Sequence, residues 1–571
     1  MKKLFTISLA LLLLTALPVM AEGEEGFEGE VTIGGHIGDI NDYGGKVGEY
    51  EQVAEDGRID GELKMEGAND GVFWHLYARP HNSMDQDYSA SLDFRRILRA
   101  SYSFHKLPHY LGNDPLTNID SKMGGKMNTY ENLDVDSDYV IAYSEHNAEM
   151  DLAIPSMPNL TFNFGYREQM RQGHRQQLSV SHCGNCHVEG VGREVDESTR
   201  DLTAGATLRA GVMTMDYQYL TRAFSDSGST PTRFYDNAMH PVRGETWVDP
   251  ETGETVNYGV IFNARLQFED ETREVGLVPD VDKDSHKVRA RFDLPGSASL
   301  TASAISAKVE NQWTGLATDS SGFHAQYTDK WGEKNKWRFN VKLRHQSIDN
   351  DDIFIDVANS EEYESRWGGS FDYLRQSSLN RDITTAGADL SYRTSSKLNI
   401  RGGLEWKSTD REYYEVAENE TRTDALRFYA SLNWRPMSKF RFRLTGEHSD
   451  IDNPFASPLA VMESDIDDVA DRQYWQRTAY YTGDVAAMPT SADKWRATAT
   501  WNVNTRSTLS ANLRWTDQSN DELTYTDWNR TLFQPGISYN LALNDKAVFT
   551  LGYLRIKEET DTLFSIPVMD G

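Results

Sequence analysis

Both cysteines of the 571-residue chain fall within five residues, Cys183-Gly184-Asn185-Cys186-His187. Two thiols separated by two residues can form thioether bonds to the vinyl groups of one haem, and a histidine directly behind them is then held beneath the iron. The pattern predicts one covalent c-type haem, with Cys183 and Cys186 as attachment points and His187 as proximal iron ligand. The same spacing also suits a small disulfide or a redox-active dithiol. A thioredoxin-like dithiol, however, opens a helix behind a strand, and this one sits among Gly and Arg in a chain patterned for strands. The opposite axial position stays open. His174 and His182 are the neighbouring candidates, with His182 crowded against Cys183, and the more distant His146, His240, a methionine or an open site are equally allowed.

The N-terminus agrees with this chemistry, because c-type haem is attached outside the cytoplasm. Lys2 and Lys3 precede an apolar run from Leu4 to Leu17, and Val19-Met20-Ala21 offers small or aliphatic residues for cleavage. Residues 1–21 are therefore expected to be a removable signal peptide. Beyond them no apolar stretch reaches helical transmembrane length, which excludes a helix bundle but not a barrel whose strands alternate. A formal net charge of −30 excludes nucleic acid as a partner. No phosphate-binding glycine loop, nucleophile elbow or zinc-spaced cluster stands out, so an enzyme is not expected.

Alternation of period two is the strongest pattern. Leu426, Phe428, Ala430, Leu432 and Trp434 fall on one face, and Arg427, Tyr429, Ser431, Asn433 and Arg435 on the other. Trp337, Phe339, Val341 and Leu343 alternate with Arg338, Asn340, Lys342 and Arg344, and Trp495, Ala497, Ala499, Trp501 and Val503 with Arg496, Thr498, Thr500 and Asn502. One face suits lipid; the other carries charges that the core of a soluble sandwich would reject. Tight turns at 393–397, 435–439 and 504–508 alternate with long polar excursions at roughly 408–423 and 450–492. The expected fold is all-β over residues 22–571, a large transmembrane antiparallel β-barrel of about 22–26 strands with short periplasmic turns and long extracellular loops.

Counting outward from a periplasmic start puts segments 41–56, 107–137, 167–200 and 224–255 on the outer side, with turns near 68–70, 95–96 and 211. The CxxCH motif then belongs to a loop at about 167–200, on the outer side or folded back into the lumen. Over 269–335 the pattern does not separate strands from loops. At the far end, 547–556 leaves a tight turn and calls for a closing strand within Thr560 to Val568, where Pro567 fits poorly. The acidic groups Asp351-Asp352 and Asp465, Asp467, Asp468 and Asp471 lack the spacing of a calcium loop and read as solvated loop.

The opening segment GDINDYGGKVGEYEQVAEDGRIDGELKMEG, the stretch CGNCHVEGVGREVDESTRDLTAGATLRAGVMTMDYQYLTRAFSD and the alternating hairpins that follow resemble the MtrB/PioB group of outer-membrane barrels that accompany multihaem cytochromes. The resemblance spans essentially the whole mature chain, with its residue-level signals at 38–69 and 183–226. It implies a sheath that insulates a periplasmic multihaem c-type cytochrome threaded through the lumen, passing electrons to an outer-surface multihaem cytochrome. Some members carry an early CxxC that residues 22–60 lack, so no role of that pair transfers. Polar-face residues such as Arg338, Arg344, Arg427 and Arg435 would meet haem propionates or an acidic protein surface, or pair among themselves. The competing expectation is a general diffusion porin with a CxxC disulfide and no haem. A soluble periplasmic haem enzyme sits badly with the alternating tryptophans. A TonB-dependent transporter needs a plug domain before its strands and is not expected.

Overall fold

The computed structural model describes residues 26–36, 49–50, 58–117, 129–181, 187–235, 246–248, 252–253, 255–257, 271–355, 373–375, 380–411, 422–454, 489–522, 527–544 and 546–562. The expected signal peptide 1–21, His182, Cys183, Cys186, His240, the acidic run 465–471 and Pro567 lie outside them. Among the described residues, regular structure is strand apart from a 3-residue 3-10 turn at Glu333–Asn335. Twenty-three strands form one sheet, in which successive strands such as Phe27–His36, Arg58–Asn69 and Val72–Pro80 pair antiparallel. The exception is Thr129–Asn132, which runs parallel to the residues from His187 to Gly190. The expected all-β antiparallel architecture is what the chain adopts.

The chain divides into two compact units, one built mainly from residues up to 208 together with 217–285, the other from 286–308 and 316–571. In the first, strands Arg58–Asn69 and Val72–Pro80 meet at Asp70 and Gly71, whose φ values of 46° and 79° make the tight turn that suits twisted antiparallel strands. The next tight turn uses Arg95 and Arg96 at φ 51° and 58°, an unusual demand on two arginines. Arg95 pairs with Asp70, while Asp93 accepts from the Arg96 amide at 2.8 Å and from Arg99 Nε at 3.0 Å. Gly211, at φ 58° within 209–216 of the second unit, turns the chain where the sequence pattern puts a third tight turn.

In the second unit, period-two alternation becomes two unlike faces. Trp337, Phe339, Val341 and Leu343 lie beside Tyr392, Leu390, Ala388 and Ala386, and further along Leu404 lies beside Phe428. These side chains have no second layer over them: Phe428 is 48% exposed, Leu404 47% and Ile537 48%. Aromatic rings gather at the turn end of this face, with Trp337 stacked on Tyr392 at 4.1 Å and on Trp331 at 6.4 Å. Turns at 396–397, 438–439 and 503–506 match the expected ones.

The region that the pattern left unresolved, 269–335, holds strands Val281–Asp293, Ser299–Asn311 and Ala317–Trp331. Val281–Asp293 carries Asp282, Asp284, His286, Arg289 and Arg291 at alternate or neighbouring sites, which hides its alternation. The chain end also differs from expectation. Ala547–Leu554 and Lys557–Asp561 both pair with Trp528–Asn544, so Thr560 and Asp561 continue the same strand rather than opening a new one. The break falls opposite Pro535, whose missing N–H cannot complete a ladder, and Arg555 donates its amide to the Pro535 carbonyl at 3.0 Å.

Candidate functional site: a hairpin tip and a charged sheet face

Strands Leu160–Ser181 and His187–Ala210 pair in unbroken register from Leu160 opposite Leu208 to Ser181 opposite His187. The expected loop over 167–200 is thus a hairpin, and only residues 182–186 join its arms. Alternation is weak here because Gln, Arg, Glu and Ser occupy both faces of the outer arms, which reads locally as loop. The motif itself is the hairpin tip. Cys183, Cys186 and His182 lie outside the described residues. The backbone of His187 begins the returning strand, bridged to Ser181 on one side and to Thr129 on the other. Arms of 22 and 24 residues are about twice the ~9–11 that cross a bilayer.

The outer half of the hairpin rests on a packed base. Gly173 takes φ 147°, and a Cβ there would sit 1.9 Å from the Val140 carbonyl oxygen, so only glycine lets strand Tyr139–Ala153 come this close. Its ladder partners Ile141 and Val195 are buried, as are Leu116, Tyr139 and Ala142. Asn113 Nδ2 donates to the carbonyls of Asp134, Val135 and Ser137 at 2.7, 3.1 and 3.0 Å, and its Oδ1 accepts from Asn132 at 2.6 Å. The Arg193–Asp226 ion pair is 1% and 5% exposed. Arg233 donates to Ser179 Oγ at 2.9 Å and meets Glu189 at 3.2 Å.

Two titrations at this base follow from its contacts. Hydrogen bonds from the Ser137 and Tyr139 hydroxyls hold Asp134 below the usual carboxylate range. Burial, reinforced by Asp134 at 3.0 Å, pushes the Tyr139 hydroxyl up to about 12.

The described candidates His146 and His174 do not gather at the hairpin tip. His174 stands opposite Glu194, seven ladder pairs from His187, which at ~3.3 Å per residue is roughly 23 Å along the hairpin. Within the described ladder the two do not meet. His146 is spent inside its strand, its Nδ1 2.8 Å from the Tyr102 hydroxyl and its ring 4.5 Å from Phe104. Among the described residues no group of three or more His, Cys, Asp or Glu could hold a metal ion. By residue type, two cysteines and a histidine within 183–187, on the short link between two paired strands, are the donor set a covalent haem needs.

The second unit's polar face answers the question about its arginines. Arg427 pairs with Glu405 at 2.8 Å and Glu447 at 3.5 Å, and Glu447 meets Lys494 at 3.0 Å. Lys342 reaches Glu405 over Gly387, where a Cβ would lie 3.0 Å from the lysine Cε. The result is a charge belt crossing six strands. Arg344 bonds Gln346 at 3.0 Å. The side chains of Arg338 and Arg435 have no ion-pair partner among the described residues. None of the hairpin-base residues Asn113, Asp134, Arg193, Asp226 or Arg233 was visible to pattern reading, since the contacts that join the base, Asn113 to Asp134, Arg193 to Asp226 and Arg233 to Ser179, span 21, 33 and 54 positions.

No protein-family model matches the chain, and no curated protein does. Solved structures similar to it include the copper transporter OprC, at 8% identity over 91% of this chain and 74% of that one, with a TM-score of 0.44. The siderophore receptor PiuA from Acinetobacter baumannii follows at 10% identity, covering 92% and 76%, TM-score 0.43. The FrpB iron transporter from Neisseria meningitidis gives 9% identity, 92% and 77%, TM-score 0.41. Likeness at this level assigns no function.

Proposed function

We propose that the chain is an integral outer-membrane barrel that sheaths a multihaem c-type cytochrome, carries one c-type haem at Cys183, Cys186 and His187, and catalyses no turnover of its own. The observation that carries this reading is the CxxCH motif at the tip of a hairpin whose arms are twice the length a bilayer needs. The uncovered apolar face, with its aromatic turn end, supports lipid as its neighbour. The polar face, rich in charge, supports a protein partner rather than a dry core. When bound, the haem supplies one-electron chemistry. The chain's own residues would hold it: two thioethers from the tip, the His187 imidazole on the iron, and the Asn113 and Arg193 contacts fixing the hairpin beneath.

The test is a haem-stained denaturing gel of the tagged protein extracted gently from outer membranes. The reading expects stain at the chain's own mass plus a co-purifying multihaem band, and the C183A/C186A double variant removes only the first. An unstained barrel with no cytochrome would replace the reading with a diffusion porin, which ion conductance of the isolated protein would then identify.

A further inference from the structure

The polar face of the second unit is not uniformly charged. No Asp or Glu occurs in 425–446, 494–516 or 528–544, although the chain carries 88 acidic against 58 basic residues. These segments cover the turn-side part of four neighbouring strands, Thr423–Met437, Phe440–Asp452, Ser491–Asn502 and Ser507–Asn520, and all of the next, Trp528–Asn544. On their polar face, between the charge belt and the tight turns, stand Arg441, Arg443, Arg496 and Arg514. Arg443 lies opposite Thr498 and Asn433, Arg441 opposite Thr500, and Arg496 directly opposite Arg514.

All four arginines are exposed, and none has an acceptor for its guanidinium among the described residues. Their polar-face neighbours Asn433, Thr498, Thr500, Asn512 and Gln534 are neutral. Directly opposed like charges destabilise a sheet unless something bridges them. Evolving a carboxylate on a facing strand would relieve this pair, as Glu405 does for Arg427 one layer away. That solution is absent here, in a chain otherwise crowded with carboxylates.

We infer that this patch docks an acidic segment of a partner protein, whose carboxylates bridge Arg496 and Arg514 and reach Arg441 and Arg443. Charge complementarity selects the occupant, since forked guanidiniums on adjacent strands match successive carboxylates on an extended chain. Neutral Thr and Asn between them leave no competing acceptor of like strength. The belt above, already satisfied by Glu405 and Glu447, does not compete for it. This deepens the sheath reading by giving the enclosed partner an acidic stripe at the turn-side level, and only the partner's identity depends on that reading.

The test uses the purified full chain in detergent and a fluorescent ten-residue glutamate peptide followed by anisotropy. Wild type is expected to bind the peptide, and the R443Q/R496Q/R514Q variant to bind roughly tenfold more weakly, from three exposed pairs of modest strength each. K494Q, altered in the belt, is expected to bind within about twofold of wild type. Equal binding by the triple variant overturns the inference, as does displacement of the peptide by inorganic phosphate or lipid A, which would make the patch a small-anion or lipid-headgroup site. A circular-dichroism melt confirms that the variant is folded; should it not be, R514Q alone is read in the same assay. Absence of a cytochrome in outer-membrane extracts would sink the sheath reading and leave this binding result standing.

Discussion

The two units present polar faces of opposite character built on the same strand grammar. In the first, Glu28 is the direct ladder partner of Glu66, and Glu149 has no cationic partner among the described residues, while its arginines are engaged: Arg167 with Glu145 at 3.0 Å, Arg171 with Glu197 at 2.9 Å, Arg222 with Asp201 at 2.6 Å. In the second, carboxylates are missing from the turn-side segments 425–446, 494–516 and 528–544, and Arg496 faces Arg514 as Glu28 faces Glu66. Alternation alone dictates that a face be polar. Which sign is left over decides what it can bind, and the turn-side patch of the second unit leaves four arginines together on one face.

The units also differ in where stability resides. The buried ion pair and most of the buried apolar side chains identified among the described residues belong to the hairpin base of the first unit. The second unit is held by ladders and an exposed charge belt. Breaking the first kind of contact should therefore cost more. Arg193→Ala strands the Asp226 carboxylate and is expected to destabilise the hairpin base by about 3–5 kcal/mol, measured by urea titration in detergent and by protease cleavage within 167–200. Glu405→Gln, which strips Lys342 and Arg427 of a shared partner, is expected to cost about 1–2 kcal/mol by the same titration. Equal losses would erase the distinction.

A pH titration sharpens the picture. The folded base keeps the Tyr139 proton that the unfolded chain releases near 10.0, so this contribution is full below pH 10 and is lost as pH rises toward 12. Asp134, held low, contributes above the ordinary carboxylate range and loses its contribution as pH falls below it. Tyr139→Phe is expected to cost about 1 kcal/mol at neutral pH and to remove the alkaline step seen by far-UV circular dichroism. The smallest effect separates the two unlike faces. Glu66→Gln and Arg514→Gln should each stabilise the isolated protein by a few tenths of a kcal/mol, because each relieves a like-charge pair, while only Arg514→Gln weakens binding of the glutamate peptide.

How much of this was legible in the sequence follows from where each signal lives. The strands of the second unit were readable because Trp337 through Leu343 and Leu426 through Trp434 keep strict period two, and their turns carry short polar links. The outer arms of the motif hairpin were not, because both faces there meet polar surroundings and the apolar beat disappears. The Asn113 cluster and the Arg193–Asp226 pair join residues 19 to 33 positions apart, and no local pattern announces them. The acid-free segments 425–446, 494–516 and 528–544 stood in plain view. Their meaning required the register, since only pairing shows that four arginines share one face and lack partners.

The central claim is that this chain itself holds a haem at the hairpin tip. Mass spectrometry of the proteolytic peptide spanning Cys183 to His187, taken from protein purified out of native outer membranes, tests it most directly. The account predicts a peptide heavier by one haem with no free thiol. A peptide lighter by two hydrogens, the mark of a Cys183–Cys186 disulfide, would contradict it.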